Sequence, residues 1–187
     1  MYAITLSTTP SAELRPLEPW QAEEFLAHIE RARATVDPWI PWASFSTDLD
    51  SARATLQRYA DRLAADSGRI NGIWLEGTLV GGVMFPRFDA GSGNCEIGVW
   101  TEPAGAGHGL VTAAARLLVE YAFVTRGMHR IEWITTPHNE RSRGVAQRIG
   151  MKLDGVLRSE YLHQGVRHDA EVWSLLAEEW TRTDPPG

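Results

Sequence analysis

A lone cysteine, Cys95, excludes any internal disulfide and with it the cross-linked scaffolds of small secreted domains. Positive charge is also short. Eighteen Lys and Arg stand against 24 Asp and Glu, a formal net charge of −6. A protein whose main partner is nucleic acid needs clustered cations to neutralise phosphates, and this balance argues against one. No apolar run is long enough to span a membrane, and Met1 to Leu6 lack the basic-then-apolar layout of a signal peptide. The expectation is a cytoplasmic protein with no membrane partner. The six histidines have no ligand spacing: His163 and His168 flank a turn without companions, so no metal is expected.

What is present fits one soluble domain, 1–187, with residues 181–187 as a flexible tail; 43% of the chain is hydrophobic and 22% charged. Eight tryptophans are many for this length and belong in a core or around a ligand. The acidic balance would draw cationic ligands, amines included. Cys95 sits in a strand-like run; it is either core or a nucleophile, and the second role needs a base and a lowered pKa.

Periodicity predicts a strand over 12–17 and an amphipathic helix from Pro19 to Ala34, with Trp20, Phe25 and Ile29 at helical spacing. Two prolines and an aromatic-rich loop follow from Asp37 to Asp48, and a second helix runs from Leu49 to Ala65 through Leu56, Tyr59 and Leu63. Arg69–Glu76 and Thr78–Arg87 read as a hairpin turning at Gly77, and Asn94–Trp100 as a further strand. Val111–Arg126 is an apolar helix, Arg130–Thr136 a strand and Asn139–Ile149 a short helix. Lys152–His163 and Val166–Leu176 close the chain as paired strands. The sum is an α/β domain on a mixed, mostly antiparallel sheet of about seven strands with about four helices.

Between Trp100 and Val111 lies Ala104-Gly105-Ala106-Gly107-His108-Gly109. A strand, a glycine loop and a helix start together make an anion site, because helix N-terminal N–H groups are unpaired and glycine lets a phosphate approach. A Rossmann dinucleotide loop uses the same physics, but the strict G-x-G-x-x-G spacing is absent, as is any G-K-[ST]. A plain flexible turn is the other reading of the loop.

Four segments taken in order resemble the RimJ/RimL branch of the GNAT superfamily. They are CEIGVWTEP (95–103), AGHGLVTAAARLLVEYAF (106–123), HNERSRGVAQRIGMKLDG (138–155) and HDAEVWSLLAEEW (168–180). WIPW, from Trp39 to Trp42, also resembles the acceptor-side segment of that family. The resemblance implies a GNAT fold, acetyl-coenzyme A as donor, an amine as acceptor, and direct attack in a ternary complex; it also admits a homodimer. It implies that the loop amides from Ala106 through Gly107, His108, Gly109, Leu110, Val111 and Thr112 hold the pyrophosphate. The backbone of Ile97, Gly98 and Val99 would pair with the pantetheine arm and offer a donor to the oxyanion. The chain departs from the family pattern at Ala106 and His108, where basic or amide side chains are usual, and at Val111, where a small residue is usual. At Ala146, seven residues after Asn139, many members carry a tyrosine that serves as general acid; the RimL branch is known instead for the serine matched by Ser142.

The chemistry needs a neutral amine, an oxyanion site and a proton for the departing thiolate. An α-amine of pKa about 7.7–8.0 costs roughly 1 kcal/mol to deprotonate at pH 7, while lysine at about 10.4 costs roughly 4.6. Glu96 is the candidate base, or an outward-facing strand residue. Asn139 either meets the pantetheine or caps a helix. Ser142 either serves the sulfur or sits on a helix surface. Trp39 and Trp42 either wall the acceptor pocket or pack beneath a bent loop. A non-catalytic acyl-coenzyme A sensor is the competing function, separable by thiol release with an amine panel.

Overall fold

Glu76 and Gly77 both adopt positive φ, 48° and 78°, the geometry that turns one strand tightly back on the next. They join β3 (Arg69–Leu75) to β4 (Thr78–Asp89) at the expected place. The computed structural model describes residues 3–40 and 45–181. Around that hairpin eight strands form one sheet in the order β1-β2-β3-β4-β5-β6-β8-β7. The others are β1 (Ile4–Thr8), β2 (Ser11–Pro16), β5 (Asn94–Thr101), β6 (Arg130–Thr135), β7 (Lys152–His163) and β8 (Val166–Leu176). The eighth strand, β1, extends the sheet beyond the expected edge by pairing antiparallel with β2.

Among the described residues four helices flank the sheet: α1 (Ala22–Val36), α2 (Leu49–Ala64), α3 (Leu110–Glu120) and α4 (Glu140–Arg148). Strand alternation sends residues to two separate cores. Cys95 and Ile97 pack with Leu118, Val145 and Ala146 on the α3/α4 face. Trp100 packs with Phe25, Ile29 and Leu56 on the α1/α2 face. The helix expected from Pro19 begins instead as a short 3-10 turn, Pro19–Gln21, and α1 proper starts at Ala22. Trp20 is therefore out of phase with the buried face and is 78% exposed, whereas Phe25 and Ile29 are fully buried as expected. Leu63, expected on the inner face of α2, is exposed near that helix's end. The long helix expected after the glycine loop runs as α3 and then widens its bonding pattern into a π turn, Tyr121–Thr125, where Arg126 N–H reaches back five residues to Tyr121 O.

Among the described residues only β5 and β6 pair in parallel; every other neighbouring pair is antiparallel. A doubly wound dinucleotide-binding sheet is built of parallel strands, so that reading of the glycine loop falls. No helix among the described residues is long and apolar enough to cross a membrane.

Candidate functional site

The parallel pair is also where the sheet opens. Its register runs Asn94↔Arg130, Cys95↔Ile131, Glu96↔Glu132 and then ends. On its other side β5 stays paired with β4 as far as Gly81↔Thr101. From Ile97 onward, β5 thus offers one edge of backbone groups that β6 no longer covers, a ready partner for an extended ligand carrying amides.

At the end of that edge the chain turns into the glycine loop. Gly107 and Gly109 have φ of 83° and 71°, a region that costs other residues roughly 1–2 kcal/mol. Gly109 is the N-cap of α3 and brings no side chain to the cap. The first amide of the helix with a carbonyl partner is Ala113, bonded to Gly109 O at 3.0 Å. The amides of Leu110, Val111 and Thr112 come before it and remain available, at the positive end of the helix. A Cβ at Gly107 or Gly109 would meet no protein atom within 4 Å, so both face open space.

A cavity of about 440 Å³ joins these parts. Its size is that of a cofactor or ligand cleft. Val99, Ala106, Gly107, Gly109, Leu110, Val111 and Thr112 line one side of it, Asn139 and Ser142 another, and Trp39 a third. Residues far apart in sequence are thereby brought together. Ile97, Gly98, His108 and Glu96 are not among the lining residues. The Ile97 side chain lies in the core, and His108 is exposed. Trp42 lies outside the described residues.

Asn139 is the N-cap of α4, its Oδ1 accepting the Ser142 N–H at 3.1 Å, while the residue also lines the cavity. The cap reading of Asn139 is thus met, and its place on the cavity wall keeps the ligand reading open to test. Ser142 is half-buried and accepts the Trp133 indole N–H at 2.9 Å, so it is no free surface serine. Ala146 is fully buried in the α3/α4 core.

Glu96 sits at the point where β5 and β6 part, in register with Arg87 on one side and Glu132 on the other. Burial raises its pKa, Arg87 pulls it down and Glu132 pushes it up. A carboxylate moved toward neutrality is a better proton acceptor near pH 7. Glu132 is engaged by both Arg87 and Arg130. Cys95, by contrast, is fully buried and its thiol is pushed up to about 12, chiefly by burial, so it is core and not a nucleophile.

Two cationic side chains at the site escaped the sequence reading. Arg141 and Arg148 of α4 line the cavity, and Arg148 Nε makes only a long bond, 3.4 Å, to Thr112 Oγ1 among the described residues. With Val145 they fall at helical spacing on one face of α4, a pattern legible in RSRGVAQR once the helix is known to face the loop. They supply positive charge that the loop itself lacks. Open glycines, unpaired helix amides and two guanidiniums suit a ligand carrying several phosphates, as coenzyme A does. Trp133 was also missed, because a strand tryptophan reads simply as core.

Comparison with known proteins agrees with this geometry. Residues 12–152 match the family described as Acetyltransferase (GNAT) domain. YdaF of Bacillus subtilis (strain 168), which bears the name of a ribosomal N-acetyltransferase, is 32% identical over 172 residues, covering 89% of this chain and 92% of its own. Two solved structures share the fold. The ribosomal L7/L12 alpha-N-protein acetyltransferase RimL, in complex with coenzyme A, has a TM-score of 0.86 at 19% identity, over 93% of this chain and 97% of that one. The microcin C7 self-immunity acetyltransferase MccE, in complex with acetyl-coenzyme A and AMP, has a TM-score of 0.82 at 23% identity, over 88% and 92%.

Proposed function

Because this chain belongs to the GNAT acetyltransferase family, we propose that its acceptor is an α-amino group, on a protein N-terminus or an amino-acid-like small molecule. The chain is an N-acetyltransferase that uses acetyl-coenzyme A as donor. The observation that carries the site assignment is the split after Glu96↔Glu132, beyond which Val99 lines one cavity with the first residues of α3 and Ser142.

On this reading each part has one task. The amides of Gly107 to Leu110 hold the pyrophosphate, with Arg141 and Arg148 adding charge from α4. The free edge of Ile97, Gly98 and Val99 aligns the pantetheine arm and gives a backbone donor to the developing oxyanion; one such donor is worth about 2.7–4 kcal/mol. Glu96, at the base of the split, takes the proton of the attacking amine, through water if the amine lies beyond direct reach. Ser142 hydrogen-bonds the departing sulfur. Trp39 walls the acceptor side.

The α-amine is favoured because its deprotonation asks roughly 3.6 kcal/mol less of the base than lysine does at pH 7. The RimL name specifies a protein α-amine and the MccE name an immunity function, and both acceptor classes enter the test. A mass-spectrometric screen for acetylated products across N-terminal peptides, lysine peptides with blocked termini and small amino-acid-like amines decides the matter. The expected result is product at α-amines; product confined to lysine side chains would overturn the assignment.

A further inference from the structure

Ser142 is held from two directions. Its backbone N–H bonds Asn139 Oδ1, and its Oγ accepts the Trp133 indole N–H at 2.9 Å. Trp133 is only 1% exposed and lies in the core between the sheet and α4. It is the first β6 residue beyond the last pair with β5. Phenylalanine or leucine would fill a core position without a polar atom, whereas the indole brings one donor, and that donor is spent on Ser142.

An indole nitrogen is a donor only, whereas a serine hydroxyl has one proton and two acceptor sites. A serine in the first turn of a helix has no intrahelical carbonyl one turn earlier to take its proton, and the carbonyl of His138, which precedes the N-cap, accepts the Glu140 N–H. Among the described residues no acceptor takes the Ser142 proton, while Trp133 occupies one of the acceptor sites. The remaining proton belongs to a hydroxyl that lines the cavity. A donor arriving at the oxygen also polarises the O–H and strengthens it as a donor in turn.

We propose that Trp133 is a positioning residue for acetyl transfer, holding Ser142 so that its hydroxyl proton points at the leaving sulfur. This rests on the assignment of Ser142 to the sulfur given above. In the step itself the amine nitrogen forms its bond to the acetyl carbon, and the C–S bond breaks with its electron pair passing to sulfur. Ser142 stabilises that developing thiolate by hydrogen bonding, and the proton lost by the amine goes to the base.

A double-mutant cycle on the full chain tests it, with Trp133→Phe, Ser142→Ala and the pair, reading kcat and the KM for acetyl-coenzyme A. Trp133→Phe should lower kcat roughly tenfold, the kinetic equivalent of one hydrogen bond, and leave that KM unchanged. In the Ser142→Ala background the same change should have no further effect on kcat. A loss of equal size in both backgrounds would make Trp133 a packing residue and overturn the proposal. If Ser142→Ala keeps the parent kcat, the sulfur assignment fails first, and the proposal falls with it by a distinct result. Thermal unfolding checks that each variant folds; Trp133→Tyr, which fills more of the indole's space, takes the same place in the cycle should Trp133→Phe unfold.

Discussion

The Trp100 indole N–H donates to His28 Nε2 across 2.9 Å, tying the strand that leads into the glycine loop to helix α1. That bond places the imidazole proton on Nδ1, 3.5 Å from Glu102 Oε2, and Glu102 in turn accepts Arg31 Nε at 2.8 Å. His28 is fully buried and its pKa is lowered to about 4, first by burial and then by Arg31. Protonating Nε2 would break the bond from Trp100.

A loss of stability in mild acid follows from this arrangement. Above pH 6.5 His28 is neutral in both folded and unfolded chains. Between 6.5 and about 4 the unfolded chain binds a proton that the folded one refuses, so stability falls as pH falls. The whole effect is about 3 kcal/mol at most. Denaturation followed from pH 7.5 to 4.5 should show His28→Gln losing less stability than the parent over this window. Parallel curves would remove His28 as the source.

Acetyl-coenzyme A should raise the melting temperature, because a ligand bound only by the folded chain adds about 2.7 kcal/mol at one hundred times its Kd. Gly107→Val and Gly109→Val should remove that shift. A Cβ there meets no protein atom within 4 Å, so the added side chain would enter the space proposed for the ligand while adding backbone strain. Arg148→Gln should weaken coenzyme binding several-fold and flatten its salt dependence. Calorimetric titration at two ionic strengths measures this, and an unchanged salt slope would take Arg148 out of the phosphate site.

Glu96→Gln should lower kcat/KM most at low pH, where the amine is protonated, and recover part of the rate as pH rises and neutral amine appears in solution. The measurement is a pH–rate profile beside the parent. Should the variant keep the parent's rate and profile, the base lies elsewhere. Glu160 would then be tested before Glu132, which two arginines already occupy.

Trp39 is 36% exposed and lines the cavity, so Trp39→Ala should cost little stability and act on the acceptor. Losing a ring face against a cationic amine should raise its KM roughly 2- to 30-fold with coenzyme binding unchanged. Steady-state kinetics with each substrate varied in turn separates the two. A change confined to the KM for acetyl-coenzyme A would move Trp39 to the donor side.

Most of the fold was legible because hydrophobic period reports secondary structure directly. The closing strands, Lys152–His163 and Val166–Leu176, stand where alternation and the Gln164-Gly165 turn put them. The glycine loop was legible for a similar reason: positive φ and close approach both demand glycine, so the backbone's needs are written in the residues. Trp20 was misplaced because apolar spacing does not say where a helix begins, and a 3-10 first turn shifts the phase. Strand β1 was missed because its pairing with β2 rests on backbone bonds that no side-chain pattern announces.

By itself, then, the amino-acid order determined the elements, the ordered motifs and the glycine loop, all of which depend on neighbours a few residues apart. Tertiary structure alone decided where β5 and β6 part company, that Arg141 and Arg148 supply the loop's missing charge, and that Trp133 reaches Ser142 nine residues on. Such contacts join separate elements, and their geometry follows from how the sheet twists and how α4 packs on it. A donor and an acceptor in one sequence carry no record of the 2.9 Å between them until those packed surfaces set it.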